Sequence, residues 1–148
     1  MTLEIILFII LLVTTFINNG VQAYIHFEAY PLLPFVGKPE FAGYLKEYER
    51  RLSLPLLLPY AFAVISNLVL LFIRRERIAI APLVAALVLN LLVTVVTVAM
   101  ATPVYNRIKA NGAATPAEMQ PLMRVNFLRL LFSTVSSAVI IYILCGMI

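Results

Sequence analysis

Charge is scarce in this chain. Only 12% of its 148 residues are Asp, Glu, Lys or Arg, against roughly 25% in a soluble domain. With 63% hydrophobic residues beside that shortage, a soluble globular protein is excluded and an integral membrane protein is indicated. Cysteine and histidine are scarcer still, with one of each, Cys145 and His26. A single thiol excludes an intrachain disulfide, and the pair is too poor a donor set for a zinc or iron–sulfur site. Haem held by two histidines would need a second imidazole. No Gly-rich phosphate loop, CxxC pair, nucleophile elbow or HExxH motif is present. The expectation is therefore no metal and no cofactor. The net charge of +4 is small, and the basic residues are scattered along loops. They read as topology signals and lipid-headgroup contacts, so membrane lipid is an expected partner and nucleic acid is not.

What the chain does contain is four apolar runs, at about 3–24, 53–73, 78–101 and 122–146. They predict one domain over residues 1–148, an all-α integral membrane four-helix bundle running up-down-up-down. The start, Met1-Thr2-Leu3-Glu4, has no basic flank, so the first run reads as a retained span rather than a cleaved leader. Tyr30-Pro31 is expected to end the first helix, because the residue before proline is biased away from the helical region. A short interfacial amphipathic helix is expected in the first long loop, Pro39 to Leu52. There Phe41, Tyr44, Leu45, Tyr48 and Leu52 form one apolar stripe. Arg74-Arg75-Glu76-Arg77 is expected to make a tight hairpin, and Thr102 to Gly112 a loop. Thr115-Pro116-Ala117-Glu118 is a capping box that should start the last helix.

Each span carries a polar face. Asn18, Gln22 and His26 recur at i, i+4 and i+8 on the first, and Asn126, Arg129, Ser133 and Ser136 mark the fourth. Hydrocarbon offers polar groups no partners, so these faces must turn inward. Four alternating spans bring both long connections to one end, and the richest polar positions lie there. Function is expected at this two-loop end. Orientation stays open. The two-loop side holds Lys38, Lys46, Arg50, Arg51, Arg107, Lys109, Arg124 and Arg129, which by count favours the cytoplasm, whereas the compact Arg74–Arg77 hairpin is the more usual cytoplasmic signal.

The chemistry at that end is specific. His26 is a candidate base. Arg129 and Arg107, each with an Asn nearby, suit a carbonyl oxygen, an oxyanion or a carboxylate. Arg129 sits inside an apolar run, where an ionisable group is a functional candidate and a snorkelling anchor is the alternative. Gln22, Tyr30, Tyr48, Asn106 and Asn126 are expected to line and orient a pocket for a flat lipophilic molecule.

In order and spacing the chain resembles the anthrone-oxygenase-like family of small four-span membrane proteins. The likeness rests on Val21-Gln22 and Tyr30-Pro31, on Phe41, Tyr44, Tyr48 and Arg51, on Pro103, Val104, Asn106 and Arg107, and on Asn126 with Arg129. Members often carry histidines in the segment that here runs from Tyr44 to Arg51, and this chain has none there. The resemblance implies a four-helix membrane bundle and, for some members, oxygenation of polycyclic anthrones to anthraquinones without an obvious cofactor. The leading expectation is a membrane oxidoreductase or oxygenase-like protein that binds a lipophilic aromatic or quinone-like molecule. Two other readings stand beside it. A non-enzymatic scaffold or complex subunit would use its polar faces only to hold helices together. A small transporter or channel would need polar stripes running on through the bilayer, or a pore between the subunits of a homo-oligomer.

Overall fold

In the computed structural model, which describes residues 3–74 and 78–147, no strand occurs among the described residues. Helix α1 (Leu3–Tyr24) continues through a π-helical turn (Ile25–Ala29), one α turn (Tyr30–Leu32) and a 3-10 turn (Leu33–Phe35). Helix α2 covers Lys38–Ile73, and α3 (Ile80–Val96) passes through a second π-helical turn (Thr97–Ala101) into α4 (Thr102–Asn111). Helix α5 covers Pro116–Met147. These elements make four rods, each long and apolar enough to cross a membrane. The α1 rod packs on α2 and α5, and α3 packs closely on α5 but more loosely on α2. The result is an all-α four-helix bundle.

The flanks of the bundle are apolar where those of a water-soluble one would be polar. Phe62, Val88, Leu91, Val95 and Leu131 are exposed on its flanks, while Asn18, Asn67, Asn90 and Asn126 are buried. An exposed apolar belt, with the polar side chains withdrawn into the interior beside apolar cores, is the arrangement that hydrocarbon solvent favours. A multi-pass membrane protein follows from it.

Both connections at the two-loop end are more helical than the sequence suggested. Pro31 and Pro103 lack the N–H that an α-helix needs, and their rings crowd the preceding turn. The chain answers by widening that turn instead of stopping. Tyr30 N–H reaches back to the Ile25 carbonyl and Thr102 N–H to the Thr97 carbonyl, one residue further than in an α-helix. The expected helix end at Tyr30-Pro31 and the expected loop from Thr102 are thus both absorbed into longer rods. The expected interfacial helix is likewise the first part of a single 36-residue helix, α2. Pro55 and Pro59 lie within it, but each removes only one donor, and the leucine-rich sequence around them supports the helix.

At 1.5 Å per residue α2 is about 54 Å long, well beyond a hydrocarbon layer of about 30 Å. The surplus of all four rods gathers at the two-loop end as a head with its own core, including Ile25, Leu33, Phe41, Leu45, Ile108 and Leu122. Phe41 and Leu45 therefore bury against other helices rather than floating on lipid. A second apolar core, including Phe8, Leu11, Leu70, Leu83, Ile140 and Ile143, closes the far end. Arg75 to Arg77 of the expected hairpin lie outside the described residues. At its edges, Arg74 N–H donates to the Leu70 carbonyl (2.9 Å) and its guanidinium to the Ile78 carbonyl (3.1 Å).

The head closes with two sharp signals. Gly112 ends α4 with φ of +63°, a left-handed conformation that glycine adopts without penalty. The capping box then forms as expected: Thr115 N–H donates to Glu118 Oε2 (3.1 Å), and Glu118 N–H donates to Thr115 Oγ1 (3.4 Å). Thr115→Ala should lower stability by about 1 kcal/mol, measured by thermal unfolding in detergent. Adding Glu118→Ala should cost less than the sum of the two single changes, because both break the same reciprocal pair. Additive losses would mean that the box does not act as a unit.

Candidate functional site

Between the head core and the far core lies a polar layer, and Arg129 is its only charged member among the described buried residues. Its side chain leaves α5 inside the apolar run and is only 4% exposed. That burial excludes a snorkelling anchor, which would lay its stem on the surface and its head in solvent. No ion pair to Arg129 occurs among the described residues, and its Nε has no hydrogen-bond partner. The Tyr30 hydroxyl stands beside the guanidinium, in electrostatic contact with it. A charge at membrane depth costs about 3 kcal/mol even on lenient scales, so an unpaired guanidinium here requires an explanation.

Two cavities share the Arg129 wall. The upper, of about 320 Å³, is lined by Ile25, Tyr30, Tyr48, Glu49, Thr97, Tyr105 and Arg129, among others. The lower, of about 220 Å³, is lined by Asn18, Gln22, Tyr60, Thr94, Val98 and Arg129, among others. Leu56, Leu57 and Thr97 also line both. Their walls belong largely to α2 and α3, the loosely packed seam of the bundle. That seam is fastened at two levels. Above the cavities Lys109 Nζ donates to both Glu49 carboxylate oxygens at 2.9 Å. At the lower cavity Tyr60 donates to the Asn90 carbonyl (3.3 Å) and shares a hydrogen bond with the Thr94 hydroxyl. Between the two fastenings the wall is mainly Leu56, Leu57, Val98 and Ala101.

The π-helical turn of α3 lies at this same level. Its hydroxyls turn back on the backbone: Thr97 donates to the Val93 carbonyl (2.7 Å) and Thr102 to the Thr97 carbonyl (2.9 Å). The polar capacity facing the cavities is thereby left to Arg129, the tyrosines, Glu49 and the amides. Turns of this kind recur at functional sites.

A larger groove of about 650 Å³ lies on the other side of Tyr48, lined by Ile17, Gly20, Tyr24, Tyr44 and Arg51, among others. Tyr44 and Tyr48 stack along it with ring centres 6.2 Å apart. Its charges are exposed and already paired, since Arg50 and Arg51 both donate to Glu47 at 2.6 Å. Exposed pairs of this kind contribute little and need no ligand.

Of the residues singled out from sequence, the structure brings together Arg129, Gln22, Tyr30 and Tyr48. Asn126 is fully buried one turn from Arg129, and neither of its amide atoms has a partner. His26 is elsewhere. It lines a separate depression with Met123, Arg124, Phe127 and Leu128, and its ring lies 5.9 Å from that of Phe127. Ile25, seven residues on from Asn18, takes the inward position beside which His26 falls to the side, and the first π-helical turn then returns Tyr30 to that face. At 100° per residue Tyr30 would sit roughly 140° away from Ile25, but a five-residue turn realigns the two, and both are buried. Asn106 and Arg107 are exposed on α4, with Arg107 close enough to Glu118 to act on its charge. Once the segment is helical, Tyr105 and Ile108 take the inward positions. Tyr105 and Glu49, polar groups of the two-loop end that sequence reasoning left without a specific role, also line the upper cavity. Tyr105 recurs at i+4 from Ala101, a signal that is readable only if Thr102 onward is helix.

Among the described residues no group of three or more His, Cys, Asp or Glu is placed to hold a metal ion. Comparison of this chain with known protein families, with curated proteins and with solved structures finds no match. The site therefore has to be read from its own geometry.

Arg129→Met distinguishes a binding group from a structural one. Replacing a buried, unpaired charge with an apolar side chain of similar length removes a desolvation cost, so Tm in detergent should stay level or rise. A fall of several degrees would mean instead that the guanidinium holds the bundle together.

Proposed function

We propose that this protein is a membrane oxidoreductase of the oxygenase type. It takes a flat lipophilic aromatic or quinone-like molecule from the bilayer and holds the carbonyl oxygen on Arg129. The observation that carries this reading is the buried guanidinium, without a counter-ion among the described residues and with its Nε free, on a wall common to two apolar cavities. A lipophilic ligand with one oxygen acceptor would supply the missing partner and fill the apolar space. The resemblance to anthrone-oxygenase-like proteins supports the same ligand class.

The chemistry follows from the wall residues. In an anthrone, a methylene between two aromatic rings lies opposite a carbonyl. Removal of a methylene proton delivers negative charge to that oxygen, where Arg129 and the Tyr30 hydroxyl stabilise it. Glu49 is the carboxylate that lines the cavity, so it takes the role of proton acceptor in place of the distant His26, accepting through an oxygen that it shares with Lys109. The carbanion then passes electrons to dioxygen and forms a hydroperoxide, which loses water to leave the second carbonyl. Anthrone and dioxygen give anthraquinone and water, so carbon is oxidised and dioxygen is reduced. Tyr48 and Tyr105 flank the ring system.

The scaffold reading would favour amides bonded to one another. Instead Asn126 leaves both amide atoms unpartnered, as do Asn18 Oδ1, Gln22 Oε1 and Asn90 Nδ2. The test uses wild type, Arg129→Gln and Glu49→Gln in lipid nanodiscs, with a dihydroxyanthrone as probe. Arg129→Gln should bind roughly 10- to 100-fold more weakly, the scale of a lost charged hydrogen bond. Glu49→Gln should bind normally but oxidise the probe more slowly. Equal binding by wild type and Arg129→Gln would remove the proposal.

A further inference from the structure

The polar layer does not stop at the Arg129 wall. On α5 the buried polar positions continue from Asn126 and Arg129 to Ser133, Ser136 and Ser137, about 16 Å along the axis. Thr15, Asn18 and Gln22 of α1 face the same interior, as do Ser66 and Asn67 of α2 and Asn90 of α3. Two contacts set the relative heights. Thr134 donates to Asn19 Oδ1 (3.1 Å), aligning α5 with α1, and Tyr60 bonds Asn90 and Thr94, aligning α2 with α3. From those anchors Asn90 lies one turn, and Asn67 two turns, further toward the far end. The polar positions thus form one column through the middle of the bundle, with an asparagine from each of the four rods.

Much of that column lacks protein partners. Thr15 Oγ1, Asn18 Oδ1, Gln22 Oε1, Asn90 Nδ2 and Ser136 Oγ have none, nor has either amide atom of Asn67 or Asn126. All seven side chains are at most 1% exposed. Buried polar atoms in folded proteins are nearly always hydrogen-bonded, to protein or to internal water. Hydrocarbon cannot serve them. Asn18 and Gln22 also line the lower cavity, so the column is continuous with space large enough for several water molecules. At its far end the column meets Phe8, Leu11, Leu70, Leu83 and Ile140, a closed apolar core.

We infer that the bundle encloses an aqueous half-channel, a chain of bound water that runs from the Arg129 cavity to Asn67 and ends blind on the far apolar core. It conducts nothing across the membrane. Its water solvates the guanidinium from within and gives a lipid-facing site an internal source of proton-carrying solvent. This holds whatever ligand the cavity takes, so its test is independent of the anthrone assay.

The test is water-to-protein proton magnetisation transfer, read by solid-state NMR on the wild-type chain in lipid bilayers. The side-chain amides of Asn126, Asn90 and Asn67 should receive magnetisation from water, and the backbone amides of Leu11, Leu83 and Ala86 should not. Ser136→Val should block the column and abolish transfer to Asn67 while sparing Asn126. Absence of transfer at Asn67 and Asn90 in the wild type would overturn the half-channel, as would equal transfer at the apolar core. Unchanged transfer in Ser136→Val would replace one chain with separate waters, which also overturns it. Should that variant not fold, the wild-type comparison decides alone.

Discussion

A guanidinium inside a membrane bundle sets the terms for everything around it. At 4% exposure the Arg129 guanidinium cannot reach the headgroups. Water, amides, phenols or a ligand must therefore replace its hydration. The bundle is arranged to allow this. Apolar cores form above and below, in the head around Phe41 and Leu45 and at the far end around Phe8 and Leu83. The layer between them is left polar and incompletely packed. Stability resides in the two ends, so the middle is free to carry groups that would otherwise weaken the fold.

Proline shapes that middle layer. Pro31 and Pro103 each follow a π-helical turn, and Pro55 lies within α2 close to the cavity walls. Each removes a backbone donor without ending its rod. The two π-helical turns do more, because an extra residue per turn changes which side chains face inward. Ile25 and Tyr30 share the interior for that reason, and the second widened turn lies where α3 borders both cavities. Fastenings at Glu49–Lys109 and Tyr60–Thr94 then hold α2 to α4 and to α3.

Much of this was legible in the chain itself. The apolar runs, the scarcity of charge and the Thr115–Glu118 box led to a four-rod membrane bundle with its polar faces turned inward. Arg129 stood out because a charge within an apolar run is costly wherever it points. His26, Asn106 and Arg107 lie away from the Arg129 cavities. The imidazole lies at i+8 from Asn18, beside the inward Ile25 at i+7, and Asn106 and Arg107 fall in a stretch that reads as a loop, where no inward face can be assigned. Proline is ambiguous in a sequence: it can end a helix or widen one turn of it, and the outcome depends on whether neighbouring helices can support the freed carbonyl.

Composition and periodicity by themselves determined the solvent, the number of rods and the inward direction of the polar faces, because hydrocarbon penalises any other arrangement of those residues. Tertiary structure decided which polar residues meet. Glu49, Tyr105 and Arg129 are far apart in sequence, and only the packing of α2, α4 and α5 brings them to one cavity. The same packing joined four separate asparagines into one buried column. No local pattern encodes that, since each asparagine reads alone as a single polar mark on an apolar helix.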